Sequence, residues 1–173
     1  MQQPAEERFH EIYARHRAAV VAYARRRVAA DAVDDVVAET FLVCWRKLRS
    51  VPEEPLPWLY AVARKTLANQ RRQAARQTSR ALVEVSEEPV LFEGDPVLGA
   101  AFSRLSERHQ EVLRLVAWEG LSLREAAAVL GCSAVACRVR FHRAKRRLAA
   151  LLDACERHGV VARPKPNPKG ATQ

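Results

Sequence analysis

Between residues 6 and 29, Phe9, Ile12, Tyr13, His16, Val20 and Tyr23 fall at three- and four-residue steps. That period predicts an amphipathic helix with one apolar stripe. His16, lying on the stripe, is expected to be a packed core histidine rather than a ligand. Asp31 is placed to cap a second helix, along which Val33, Val36, Val37, Thr40, Phe41, Cys44 and Leu48 mark the buried stripe. At 100° per residue Leu42 points away from it, with Asp35 and Glu39 beside it and Trp45 on its flank. Two readings of that face stay open: a solvated surface with one stray leucine, or an acidic and apolar patch that docks a partner protein.

The stretch SVPEEPLPW is a proline-punctuated turn, with Pro57 expected at the first position of a third helix. That helix runs through WLYAVARKTLANQRRQAAR with Leu59, Val62, Ala63, Thr66 and Leu67 inward. From Arg64 to Arg80 it carries Arg64, Lys65, Arg71, Arg72, Arg76 and Arg80 and no acidic residue, a one-sided block that suits an anionic partner. The composition then reverses. Residues 81–98, ALVEVSEEPVLFEGDPVL, contain Glu84, Glu87, Glu88, Glu93 and Asp95 without a single Lys or Arg, and read as a linker between two helical modules.

In the second module Ser106 is expected to cap ERHQEVLRLVAWEG, whose Val112, Leu113, Leu115 and Val116 supply a core and whose Gly120 stops the helix. Ser122 and Glu125 form an S-x-x-E capping box, Gly131 makes a tight turn, and Ser133 caps the last helix. Along that helix Cys137, Phe141, Ala144, Leu148, Leu151 and Cys155 make one narrow inward seam. Val135, Arg138, Val139, His142, Arg143 and Arg146 face outward. A short capped helix, a glycine turn and a basic second helix make a helix-turn-helix, whose outward residues near the amino end would enter the major groove. Arg138 or Arg143 is suited to guanine edges, Arg146 and Arg147 to phosphates.

Composition narrows the partner. The chain has 173 residues, 29 Lys+Arg against 20 Asp+Glu, and a formal charge of +9. Such a balance fits a polyanion, either nucleic acid or an acidic membrane surface. No run of about 18 apolar residues and no signal-like start is present, so a cytoplasmic protein without membrane insertion is expected. The four cysteines, Cys44, Cys132, Cys137 and Cys155, contain no C-x-x-C pair. Cys132, Cys137 and His142 are five residues apart in turn, which puts them on different sides of a helix, so buried thiols are expected and no metal site. No phosphate-binding loop, nucleophile elbow or zinc-protease motif appears, and neither an enzyme nor a cofactor is expected.

Taken together, the modules resemble the extracytoplasmic function group of bacterial RNA polymerase sigma factors, over approximately residues 6–153. DAVDDVVAETFLVCWRKL is similar to that group's D-A-E-D-x-x-Q-E-T-F-x-x-x-W motif, and PWLYAVARKTLANQRR to its W-L-x-x-I-A-R-N segment. LSERHQEVLRLVAWEGLSLREAAAVLGCSAVACRVRFHRAKRRL follows its closing helix-turn-helix block. The resemblance implies that Asp34, Asp35, Glu39, Leu42 and Trp45 dock on the clamp helices of core RNA polymerase. It implies that Arg64, Lys65, Asn69, Arg71 and Arg72 hold single-stranded bases of the minus-ten element. It implies that Ser133, Val135, Arg138, Val139, His142, Arg143 and Arg146 serve the minus-thirty-five element, that the acidic linker threads an RNA path, and that an anti-sigma factor is a possible further partner. The chain departs from the pattern at Lys65, where Asn is common, and at Val135 and Val139, where Gly and Ser are usual.

The expected fold is all-α: a first helical domain over residues 1–78, a flexible acidic linker over 79–98, a helix-turn-helix domain of winged-helix-like type over 99–156, and a basic tail over 157–173. The competing reading is a helix-turn-helix regulator that acts without core polymerase. It accounts for residues 122–148 but leaves the basic third helix and the acidic linker without a purpose. A DNA-modifying enzyme built on Asp34, Asp35 and Glu39 is the third reading; metal-dependent DNA cleavage would be its mark.

Overall fold

The computed structural model describes residues 3–78 and 95–157, and among them the chain is helical with no strand. Most of the expected linker and nearly all of the basic tail lie outside the described residues. Helix α1 spans Gln3–Arg25, α2 Val33–Arg46 and α3 Pro55–Thr78. Helix α4 spans Pro96–Ser103, α5 Glu107–Ala117, α6 Leu123–Leu130 and α7 Ala134–Arg157.

Helix ends follow local chemistry, with two corrections to the sequence reading. Asp31 does not cap α2: it sits inside a 3-10 turn over Ala30–Ala32, and the N-cap is Ala32, which makes no side-chain cap bond. The Val33 amide is instead taken by the Ala30 carbonyl, so turn backbone does what a capping side chain would have done. Pro57 does not open α3, which begins at Pro55. Both prolines fit because amides in a helix's first turn have no intrahelical acceptor to lose.

In the second module the signals held more closely. The Ser122 hydroxyl accepts from the Glu125 amide at 3.2 Å and the Glu125 carboxylate accepts from the Ser122 amide at 2.8 Å, which completes the capping box. The Ser122 hydroxyl also donates to the Glu125 carboxylate at 2.6 Å, and that bond, with the one from the Ser122 amide, holds the Glu125 carboxyl below its ordinary pKa. Gly131 closes α6 in the left-handed region, φ 66°, where a Cβ would strain the backbone. Ser133 caps α7 by accepting from the Ala136 amide at 3.1 Å. Ser106 holds the N-cap position of α5 without a side-chain bond.

Two bodies result. In the first, α2 packs on both α1 and α3. All seven residues expected on the α2 stripe, from Val33 to Leu48, are buried, and Leu59, Tyr60, Ala63 and Leu67 of α3 close over them. Buried Thr40 is satisfied locally, its hydroxyl donating to the Val36 carbonyl at 2.7 Å. In the second, α7 packs on α4, α5 and α6 through the expected seam: Cys137, Ala144, Leu151 and Cys155 are buried, with Phe141 and Leu148 half-buried against the core. Each fully buried aliphatic side chain contributes about 1.5–3 kcal/mol. The bodies also touch, α3 lying against α6.

Candidate functional site

Helix α7 carries the first surface. Its seam holds one side to the core, so the opposite side must project: Val135 is 73% exposed and Val139 44%. Arg138, His142, Arg143 and Arg146 are exposed around them, and Ser133 sits at the entry as the cap. None of the ion pairs between described residues uses an α7 cation. A shallow hollow of about 410 Å³ between the start of α5 and α7 brings Arg108 and His109 beside Val139 and Arg143, two residues that sequence reasoning missed. Cys137 is buried in the seam while His142 faces outward, and the described residues contain no cluster that would hold a metal ion.

The second surface lies between α2 and α3. There an open groove of about 1440 Å³ is lined by Asp35, Glu39, Leu42 and Trp45 from α2 and by Trp58, Lys65 and Asn69 from α3. Leu42 is 41% and Trp45 44% exposed, so the patch read as ambiguous from sequence is a solvent-facing apolar pair edged by carboxylates. Asp34 is also exposed on α2. Trp45 is steadied from α1 by an edge contact with Phe9, ring centroids 5.3 Å apart. Arg8 pins the turn that follows α2, its guanidinium donating to the carbonyls of Leu48 at 3.1 Å and Val51 at 2.7 Å. Nothing in the one-dimensional pattern pointed to Arg8, because its partners lie 40 and 43 residues away.

The five basic and amide residues expected to act together on α3 divide between two faces. Lys65 and Asn69 enter the groove, and Arg72 leans on Asn69 through a hydrogen bond to its side-chain oxygen. Arg64 and Arg71, seven positions apart, share the other helix face, and Arg71 turns towards the second body. Arg71 donates to the Arg27 carbonyl at 3.4 Å and lies 4.0 Å from Glu107.

Between the bodies is a cluster that sequence reasoning did not find. Arg27 donates to Glu111 at 3.0 Å and to Glu119 at 2.8 Å, and Arg26 is paired with Glu119. The Arg27 side chain is 3% exposed and that of Glu119 is fully buried. Tyr23, buried and stacked on Tyr60 at 4.9 Å, donates its hydroxyl to Glu111 at 3.1 Å. Burial, with the Glu111 carboxylate, pushes the Tyr23 phenol well above its ordinary pKa, and burial lifts Tyr60 to about 12. For Arg27 burial acts downward, but Glu111, Tyr23 and Glu119 outweigh it and the net direction is up. Arg114 nearby is pushed down to about 10, first by burial and then by Arg27.

Comparison with known proteins matches these bodies separately. Residues 12–77 match sigma-70 region 2, and residues 97–148 match sigma-70 region 4. The chain is 31% identical over 131 residues to the ECF RNA polymerase sigma factor EcfG of Rhodopseudomonas palustris, covering 71% of this chain and 72% of that one. It is 31% identical over 166 residues to the RNA polymerase sigma factor CnrH of Cupriavidus metallidurans, covering 84% and 87%. Among solved structures, the Bartonella quintana sigma factor RpoE in complex with the anti-sigma factor NepR superposes with a TM-score of 0.69 at 25% identity, covering 84% of this chain and 96% of that one. CnrH in complex with the cytosolic domain of CnrY gives 0.61 at 31% identity, covering 84% and 88%.

Proposed function

The chain belongs to the sigma-70 family, in its extracytoplasmic function group, and from that membership we propose how its two helical bodies divide the work. The protein binds core RNA polymerase and directs promoter-specific initiation of transcription. Residues 1–78 form the body that docks on polymerase and handles the minus-ten element; the linker expected over 79–98 ends at Asp95, the cap of α4, so residues 96–156 form the body that reads the minus-thirty-five element, and residues 157–173 a basic tail. Asp34, Asp35, Glu39, Leu42 and Trp45 meet the clamp helices of the largest polymerase subunit: an exposed apolar pair ringed by carboxylates is a centre-and-rim arrangement suited to a protein partner. Lys65, Asn69 and Arg72, with Arg64 and Arg71, receive the opened minus-ten strand.

The observation that carries the reading is α7. Its outward cations are unpaired with any described carboxylate, and they surround two exposed valines one helical turn apart. Arg138 and Arg143 reach base edges, Ser133 and Arg146 hold backbone, and Val135 and Val139 are suited to the methyl groups of thymines. The protein contributes binding and no chemistry of its own, and acts in the cytoplasm, where its polymerase is. Among the described residues no helix is long and apolar enough to cross a membrane. NepR and the CnrY domain are seated on the similar sigma factors, and an inhibitor of that kind is a partner for this chain also.

The test is reconstitution with bacterial core polymerase followed by mapping of transcript starts. One copy bound per polymerase and starts that share two upstream elements are expected. A chain that ignores polymerase yet binds an operator as a dimer would be an ordinary regulator instead.

A further inference from the structure

The connection between α2 and α3 has little of its own to hold it in place. It runs as a 3-10 turn over Leu48–Ser50, becomes extended at Val51, and then carries Pro52 before α3 begins at Pro55. Its backbone supplies a bond from the Ser50 amide to the Lys47 carbonyl at 2.8 Å and one from the Val51 amide to the Leu48 carbonyl at 3.3 Å. Neither proline has an amide to add to these. Leu48 and Val51 are buried, and Arg49 and Ser50 between them are exposed.

Arg8, half-buried on α1, ties this turn down from outside. No ion pair between described residues uses it. Its guanidinium donates instead to the Leu48 carbonyl at 3.1 Å and the Val51 carbonyl at 2.7 Å. A planar fork of donors meets both carbonyls at once, which a single ammonium group matches poorly. Hydrogen bonds from an ionised donor are also roughly twice as strong as neutral ones. Fixing the chain on either side of Arg49 and Ser50 fixes where those two side chains start.

Both of them line the groove that also holds Lys65 and Asn69. The two pairs differ in their support. Lys65 and Asn69 stand on a helix of 24 residues, whereas Arg49 and Ser50 stand on the short turn. Polar groups that recognise a ligand must be held to within about 0.5 Å. A packed helix meets that demand by itself, and the turn meets it through Arg8. Leu48 and Val51 keep their apolar burial without the guanidinium, so losing it should loosen the turn and leave the fold intact.

We propose that Arg8 is a positioning residue for the opened minus-ten strand: by fixing the Leu48 and Val51 carbonyls it holds Arg49 and Ser50 where they, with Lys65 and Asn69, discriminate among bases. The inference rests on the function proposed above and deepens it.

The experiment uses the full chain assembled with bacterial core polymerase. The probe is the single non-template strand of a promoter found by mapping transcript starts, in its own sequence and with each minus-ten base replaced in turn. The ratio of the two affinities measures discrimination at each position. The position where Arg49→Ala with Ser50→Ala lowers that ratio is the one that faces the turn. There Arg8→Ala should lower it about tenfold, at unchanged helicity and unchanged affinity for polymerase. Adding Arg8→Ala to the Arg49 and Ser50 pair should lower it no further, because Arg8 acts only through them. Arg8→Lys keeps the charge and loses the fork, and should fall between. Should Arg8→Ala lose helicity, Arg8→Lys carries the same comparison. Ratios that survive the Arg8 variants, an equal weakening on every strand, or losses that simply add would each overturn the positioning role while leaving the sigma-factor reading in place. An unaltered chain that never joins polymerase, or joins it and prefers no base at any minus-ten position, would remove that reading and the proposal with it.

Discussion

Arg27 and Arg138 are the same residue type at the edges of two helical bodies, and they meet opposite ends. Arg27 is buried between Glu111 and Glu119, with its guanidinium carbon over the Tyr23 ring, 3.5 Å from the centroid. Arg138, with His142, Arg143 and Arg146, stands in solvent on a helix whose cations meet no described carboxylate. The contrast shows that positive charge does not by itself mark a nucleic-acid surface. What marks it is cations left without acidic partners on a rigid, capped element, because only those are available to release counterions from phosphate.

The largest effect expected from disturbing this contrast is on the buried side. Glu119→Ala strands Arg26 and leaves Arg27 with Glu111 alone, and the packing of the two bodies on each other should lose about 3–5 kcal/mol. Interdomain distance measurements should show the loss, while affinity for a minus-thirty-five duplex stays the same; a fall in that affinity would mean that the two arginine sets are not independent. Next in size, Leu42→Asp with Trp45→Asp puts two charges at the centre of the docking face. Association with core polymerase, followed by co-elution, should drop by at least about 100-fold, and normal association would remove the patch from the interface.

On the exposed side, Arg138→Ala with Arg143→Ala should weaken discrimination at the upstream element by about 10- to 100-fold in competition binding, with thermal midpoint and polymerase association unchanged. Equal loss of polymerase binding would count against a reading role. Ser122→Ala removes half of the capping box and should cost about 1 kcal/mol in denaturant unfolding, with a matching loss of helicity rather than of charge-dependent binding. The smallest effect is expected from replacing thymine with deoxyuridine in the upstream element. Deletion of the methyl should reduce affinity by a few-fold, and the reduction should vanish in Val135→Ala with Val139→Ala. An equal reduction in both chains would detach the valines from base reading.

Legibility tracked the range of the interactions. The α2 stripe was readable to the residue because helical periodicity alone decides which side of a helix meets a core, and the α7 seam was readable for the same reason. The Ser122 capping box and the Gly131 turn were legible because their partners lie within three or four positions. Asp31 misled because a 3-10 turn, invisible to a capping rule, supplied the backbone acceptors first. Leu42 and Trp45 were visible as an anomaly, and the groove that unites them with Lys65 and Asn69 was not, since it exists only where α2 crosses α3. Arg26 and Arg27 read as two more charges in a basic run. Only the fold placed Glu111 and Glu119 against them.

By itself the sequence determined six of the seven helices described, all but α4, with their inward faces, the helix-turn-helix and the family, because each follows from periodicity, caps and spacing that neighbouring residues impose. The tertiary structure decided which cations are spent on carboxylates and which remain for DNA. Ion pairing depends on distances in space between residues far apart in the chain, and no local pattern encodes those distances.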